Sequence, residues 1–241
     1  MSKRRNRALA QVVDNTIDFK SYTSTRRVPQ LIPKSLSQEH YIELLQDPDI
    51  NVVLAAGPAG TGKTMMAVIA AIQAFRRGDV DKIVITRPAV GVDGEQHGFL
   101  PGDLNSKMEP WTRPIFDVFH EYYSTKDTAR MLEEQTIEIS PLAFLRGRTF
   151  KRSWIIFDEA QNSTENQMKM VLTRLGDESK MVITGDLAQH DRKFTQENGL
   201  RDFIDRIKKQ GSSLISLVEF NSRDIQRHPV VKEVLKLYGE L

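Results

Sequence analysis

The chain has 241 residues, 34 of them basic and 32 acidic, for a net charge of +2; 39% are hydrophobic and 27% charged. That suits a soluble globular chain of one large α/β domain or two small ones, and the basic excess is too small to argue for nucleic-acid binding by itself. The absence of cysteine excludes disulfides, thiolate catalysis and cysteine-ligated zinc, the five histidines show no metal-ligand spacing, and no apolar run approaches a membrane span.

Residues 1–30 are polar, with basic clusters at Lys3-Arg4-Arg5, Arg7 and Arg26-Arg27. No apolar signal-peptide stretch follows the basic start, so a soluble, cytoplasmic protein is expected. The segment reads as a flexible arm, or as an arm that neutralises a polynucleotide backbone, and the two are compatible. Residues 31–241 read as one domain. Leu36 to Gln46 is expected to be helical, with Ser35 or Ser37 as N-cap and Pro48 as stop. The apolar run Asn51 to Ala56 reads as a buried strand, and Met65 to Phe75 as a mostly apolar helix closed at Gly78.

Between that strand and that helix lie Gly57, Pro58, Ala59, Gly60, Thr61, Gly62, Lys63 and Thr64, which fit the phosphate-loop pattern G-x-x-x-x-G-K-[S/T]. Triphosphate oxygens need several backbone N–H groups at close range, and glycines let the chain wrap that tightly. The helix N-terminus adds unpaired donors and a positive dipole end. Lys63 brings a cation to the β/γ-phosphates, and the Thr64 hydroxyl can ligate Mg²⁺.

Lys82 to Thr86 reads as the next strand, ended by Arg87-Pro88, and Val90 to Asn105 as a glycine-rich functional loop. Met108 to Tyr123 carries aromatic residues at helical spacing, with an irregular start at Pro110 and Pro114; the stripe reads as core packing. A polar helix (Lys126 to Glu134), a short strand (Thr136 to Ile139) and a turn bearing Arg146 and Arg148 follow. Trp154 to Phe157 is an apolar strand running into Asp158-Glu159. Ser163 or Thr164 caps a helix through Arg174, Lys180 to Thr184 is a strand, and Glu197 to Gln210 an amphipathic helix. Leu214 to Phe220 reads as a strand and Pro229 to Tyr238 as a final helix. Alternation of this kind predicts a parallel sheet covered by helices on both faces.

Asp158 and Glu159, 95 residues past Lys63 (158 minus 63), supply the acids that a phosphate loop needs. Asp158 is the candidate Mg²⁺ ligand and Glu159 the base for an attacking water. The pair argues for hydrolysis, and the lack of an Asn/Thr-Lys-x-Asp guanine-selecting element favours ATP. Gln189, after the strand ending in Thr184-Gly185-Asp186, reads either as a γ-phosphate sensor or as a surface-loop residue.

Taken together, these residues resemble the PhoH-like family of phosphate-loop ATPases from about Gln38 to Tyr238. The resemblance includes Gly57 to Thr64, Thr86 to Val90, Gly98 to Asp103, Pro141 to Thr149, Asp158-Glu159-Ala160-Gln161-Asn162, Leu172 to Gly176, Thr184 to Asp186 with Gln189, and Arg227-His228-Pro229. It implies a RecA-like core similar to the first motor domain of superfamily 1 helicases, with Thr86-Arg87-Pro88 touching single-stranded nucleic acid. It assigns hydrolysis and γ-phosphate sensing to the Asp158-Glu159-Ala160-Gln161 box and Gln189. Arg227 is placed where an arginine finger could act, or else forms a structural salt bridge. Arg146 and Arg148 are weaker candidates for phosphate or subunit contacts. Relatives often have glutamine at the place of His40 in the adenine-side motif, and Gln38 is its candidate substitute here.

Some relatives carry a PIN nuclease domain, which residues 1–30 are too short to hold, so no intrinsic nuclease activity is expected. With one motor domain, an arginine finger would come from another subunit or from a local loop folding back; the resemblance implies a homo-hexamer with ATP at subunit interfaces. The leading functional reading is ATP hydrolysis coupled to moving or remodelling RNA or single-stranded DNA. The other is a nucleotide-dependent switch or assembly protein.

Overall fold

The structure, a computed structural model, describes residues 28–88, 104–189 and 198–238. The continuous apolar runs become the middle of a sheet. β1 (Val52–Ala56), β4 (Ser153–Phe157) and β5 (Lys180–Gly185) are buried at every position, as strands covered on both faces must be. β2 (Lys82–Thr86) joins them, and the edges are the shorter or more exposed β3 (Ile137–Ile139) and β6 (Ile215–Glu219). The order is β3-β2-β4-β5-β1-β6, and every pairing is parallel. This is the RecA-like parallel sheet that was expected, in a single domain.

Because side chains alternate across a strand, the sheet separates two cores. On one face Val53, Ile83 and Ile156 pack with α1 (Leu36–Gln46), α2 (Lys63–Arg77) and α3 (Leu104–Tyr122). On the other, Leu54, Phe157 and Ile183 pack with α5 (Glu165–Leu172) and α6 (Gly199–Gln210), which follow α4 (Thr125–Glu133) in the chain. α7 (Pro229–Leu237) closes the described chain. Short 3-10 turns lie at Leu142–Leu145, Ala160–Asn162 and Ser222–Asp224.

Local signals account for the ends. Ser35 caps α1, Gly78 closes α2 in a left-handed conformation, and Ser124 and Thr164 form capping boxes with Asp127 and Gln167; such caps are worth about 1 kcal/mol each. Thr164, not Ser163, is the cap of α5, because the Ser163 hydroxyl donates to the Ala160 carbonyl instead. α5 stops at Leu172, two residues before the expected Arg174. α3 begins at Leu104 and runs through both Pro110 and Pro114. Each proline removes one ladder hydrogen bond, and burial of Ile115, Phe119 and Tyr122 on one face offsets that loss. The described part of the aromatic stripe is therefore core, as expected. The arm at 1–27, most of the glycine-rich loop (89–103) and the expected start of α6 at Glu197 lie outside the described residues. Among the described residues, no helix is long and apolar enough to cross a membrane.

Candidate functional site

The ends of β1, β4 and β5 point to one place, since β5 lies between the phosphate-loop strand and the acid-bearing strand. The carboxyl edge of a parallel sheet is where such folds bind ligands. A cavity of about 250 Å³ opens there, lined by Gly60, Lys63, Thr64, Asp158, Glu159 and Gln189 among others.

The loop leaves β1 at Gly57, whose φ of 143° lies in glycine territory; a Cβ there would meet the Phe220 carbonyl oxygen at 2.4 Å. Gly62 precedes α2, and no side chain caps that helix, so its first N–H groups are available to an anion. The Lys63 ammonium donates to the carbonyls of Gly57 (2.6 Å) and Pro58 (2.8 Å) and to the Thr61 hydroxyl (3.4 Å). Burial pulls Lys63 below the ordinary lysine range, opposed by the charges of Asp186, Glu159 and Asp158. Phosphate oxygens would compete with those carbonyls for a cation already desolvated.

Thr64 donates its hydroxyl to Asp158 Oδ1 at 2.8 Å, and Thr184 donates to the same oxygen. A hydroxyl and a carboxylate in contact form a hard-oxygen pair of the kind that takes Mg²⁺ beside substrate phosphates. No cluster of three or more His, Cys, Asp or Glu exists among the described residues to hold a metal by itself, so the residues present fit a metal shared with a nucleotide.

Glu159 follows Asp158, and regular strand geometry would send the two side chains to opposite faces. Glu159 instead takes a left-handed conformation (φ 53°, ψ 40°). That conformation costs a non-glycine residue roughly 1 kcal/mol, and it brings both acids to one cavity. The Gln161 amide donates to the Glu159 carboxylate, while its oxygen accepts from the Asp186 N–H at 3.1 Å. Gln161, only 2% exposed, thus ties Glu159 to the end of β5. Gln189 is exposed at the rim, its N–H donating to the Asp186 carbonyl.

Arg227 reaches the same loop from the far end of the chain. The Gln226 N–H donates to the Gly60 carbonyl at 2.8 Å, and a Cβ on Gly60 would lie 2.6 Å from Arg227 Nε. The loop bearing Arg227 is anchored by Asp224, which accepts from the Asn221 N–H at 2.8 Å. Burial pushes the Asp224 carboxyl up, but hydrogen bonds from Asn221, Ser35 and Ser37 outweigh it and hold it below the usual range.

Gln38 does not line the cavity. Its amide lies behind the loop, donating to the Thr61 carbonyl at 3.0 Å. Tyr41, fully buried, packs edge-on against Phe220 and donates to the Lys63 carbonyl at 3.3 Å. Burial and the Asp158 charge both push its phenol upward. Arg148 stands at the β3 edge, paired with Glu138, and its guanidinium lies 4.5 Å from the Phe150 ring centre; Arg146 is exposed. Neither lines the cavity. Arg87 sits half-buried at the end of β2. Gln161 was expected only as part of the acid box, and Thr184 and Asp224 are contributors to which the sequence reading gave no role. Only strand neighbours and loop packing reveal them.

The PhoH family profile, described as PhoH-like protein, matches residues 30–239. A PhoH-like protein of Bacillus subtilis (strain 168) is 44% identical over 86% of this chain and 63% of its own length. Protein PhoH of Escherichia coli (strain K12) is 34% identical over 89% of this chain and 60% of its own length. The chain therefore spans less than two thirds of these relatives. Among solved structures, the Pif1 helicase from Candida albicans aligns with a TM-score of 0.40 and 13% identity, covering 86% of this chain and 44% of that one. The Sulfolobus solfataricus SWI2/SNF2 ATPase core in complex with dsDNA aligns with a TM-score of 0.41 and 16% identity, covering 67% and 34%.

Proposed function

Because this chain belongs to the PhoH-like family, we propose that it binds and hydrolyses ATP with Mg²⁺ and couples hydrolysis to binding, translocation or unwinding of RNA or single-stranded DNA. The observation that carries the ATPase reading is the gathering of Lys63, Thr64, Asp158, Glu159 and Gln189 around one cavity at the carboxyl edge of the sheet. In this reading the loop N–H groups and Lys63 hold the phosphates. Thr64 and Asp158 hold the metal, which when bound offsets charge on the β- and γ-phosphates. Glu159, oriented by Gln161, accepts a proton from the attacking water as the bond from the γ-phosphorus to ADP breaks. Arg227 and Gln189 face the charge that develops on the transferred group.

The nucleic-acid part is supported by Arg87 at the end of β2 and by the basic composition of residues 1–30, proposed as a polynucleotide-contacting arm. Both would bind backbone phosphates in a sequence-tolerant, salt-sensitive manner. The assembly part is a homo-hexamer. It does not depend on Arg227 as a neighbour's finger, since Arg227 lies on its own chain's loop. Light scattering with and without a non-hydrolysable ATP analogue tests it, and a monomer in both states rejects it.

The deciding experiment is ATPase turnover with and without RNA or single-stranded DNA, together with a strand-separation readout. Stimulation is expected. A rate indifferent to either polymer would favour a nucleotide-dependent switch. Near-normal turnover of Lys63→Ala would reject the site itself.

A further inference from the structure

Gln38 occupies the sequence region that should read the base, but its amide is engaged elsewhere. Its oxygen accepts from the Lys34 N–H at 2.7 Å, closing the turn before α1, and its nitrogen donates to the Thr61 carbonyl at 3.0 Å. The Ser35 hydroxyl accepts from the Gln38 N–H, so the residue also belongs to the cap of α1. It is 3% exposed. Each end of the amide keeps one further hydrogen-bonding position, but both ends are turned to the chain's own backbone.

Among the described residues, the rest of the cavity offers the base nothing better. The polar side chains lining it are Lys63, Thr64, Asp158, Glu159, Thr184 and Asp186, with Gln189 at the rim, the groups that the ATPase reading assigns to phosphates, metal and water. Among the described residues, Met65 is the one apolar side chain longer than alanine's that lines it, and it is 48% exposed. A thioether packs against any ring. Behind the loop, Gln38 joins Thr61 to α1, and Asp224 joins Ser35 and Ser37 to the loop carrying Arg227.

We propose that Gln38 is a positioning residue that braces the phosphate loop through Thr61 and does not read the base, so that the substrate class of this site is nucleoside triphosphates in general. This rests on the ATPase reading above and deepens it. A site that hydrogen-bonds a distinguishing group rejects analogues by ~10⁴-fold or more, whereas apolar contact discriminates by only ~10–200-fold.

The test compares kcat/KM for ATP, GTP, CTP and UTP, and inhibition by Mg-tripolyphosphate, in the native chain, Gln38→Ala and Ser124→Ala. The four nucleotides are expected to fall within about tenfold of one another in the native chain, the apolar-contact regime. Gln38→Ala should raise KM for all four, and weaken tripolyphosphate inhibition, by a common factor of about ten, with kcat little changed and the ATP-to-GTP ratio preserved. Ser124→Ala, which removes the capping box of α4 and touches neither Gln38 nor the Arg227 loop, should lower the melting temperature and leave KM unchanged. A native preference for ATP above ~200-fold, beyond the apolar-contact regime, would overturn the inference, as would a Gln38→Ala ratio that collapses toward one. The native comparison stands even if the variant does not fold. Hydrolysis of none of the four nucleotides would instead reject the ATPase reading, and strict ATP selection would leave that reading intact.

Discussion

Arg227 lies directly over Gly60 of its own phosphate loop, close enough that a single methyl on Gly60 would collide with its guanidinium nitrogen. Of the two expected routes, a neighbour's arginine or a local loop folding back, this placement supports the second, although Arg227 is not among the residues that line the cavity. Arg227→Ala should bind ATP normally and hydrolyse it roughly 10³-fold more slowly, the scale for an arginine that meets transition-state charge. Mixing Arg227→Ala with Lys63→Ala subunits should restore nothing, because each chain would need both residues. Recovered turnover in the mixture would return the arginine to an intersubunit role.

Glu159 should separate binding from chemistry. Glu159→Gln keeps the shape and the left-handed turn but cannot accept a proton, so kcat should fall about 10²–10⁴-fold with nucleotide affinity retained. Gln161→Ala leaves the carboxylate in place but unties it from Asp186. A smaller fall in kcat at unchanged KM is expected, and a pH–rate profile would show whether the base itself has shifted.

In the proposed site Thr184 would act on a bound metal through Asp158. Its hydroxyl and that of Thr64 share one carboxylate oxygen, which fixes the orientation of Asp158. Thr184→Val removes that donor at nearly constant volume, and partners of this kind are worth about 10–100-fold in metal affinity. A Mg²⁺ titration of turnover should move to higher concentration by that factor, with the maximum at saturating metal largely kept. An unmoved titration would make Thr184 a packing residue only.

Lys180 gives the fold a signature at alkaline pH. Its ammonium caps α1 from below, donating to the carbonyls of Leu44 and Asp47 at 2.8 and 2.7 Å. Burial lowers it to about 8 from 10.5, against the opposing charge of Asp47. Between those values the unfolded chain holds a proton that the folded chain has lost, so this group makes stability rise with pH over that window. Chemical denaturation at pH 7.5 and pH 10 should show the native chain gaining stability relative to Lys180→Met. A constant difference between the two would refute the assignment.

What the sequence determined by itself was everything written within one stretch of chain. The loop from Gly57 to Thr64, the acid pair after an apolar strand, the caps at Ser35 and Gly78 and the parallel α/β class depend on spacings that covalent geometry enforces, and they emerged with boundaries moved by only a few residues. Even the αL turn that brings Glu159 to Asp158 is local, though its sign of φ is not legible in the letters. What tertiary structure decided was adjacency between distant stretches. Thr184 stands beside Asp158 because β4 and β5 pair with Phe157 opposite Ile183. Gln38 meets Thr61, and Arg227 meets Gly60, because α1 and the loop after β6 pack together against one turn. Strand order and loop packing are set by the burial of two cores at once, a balance summed over the whole chain that no local pattern contains.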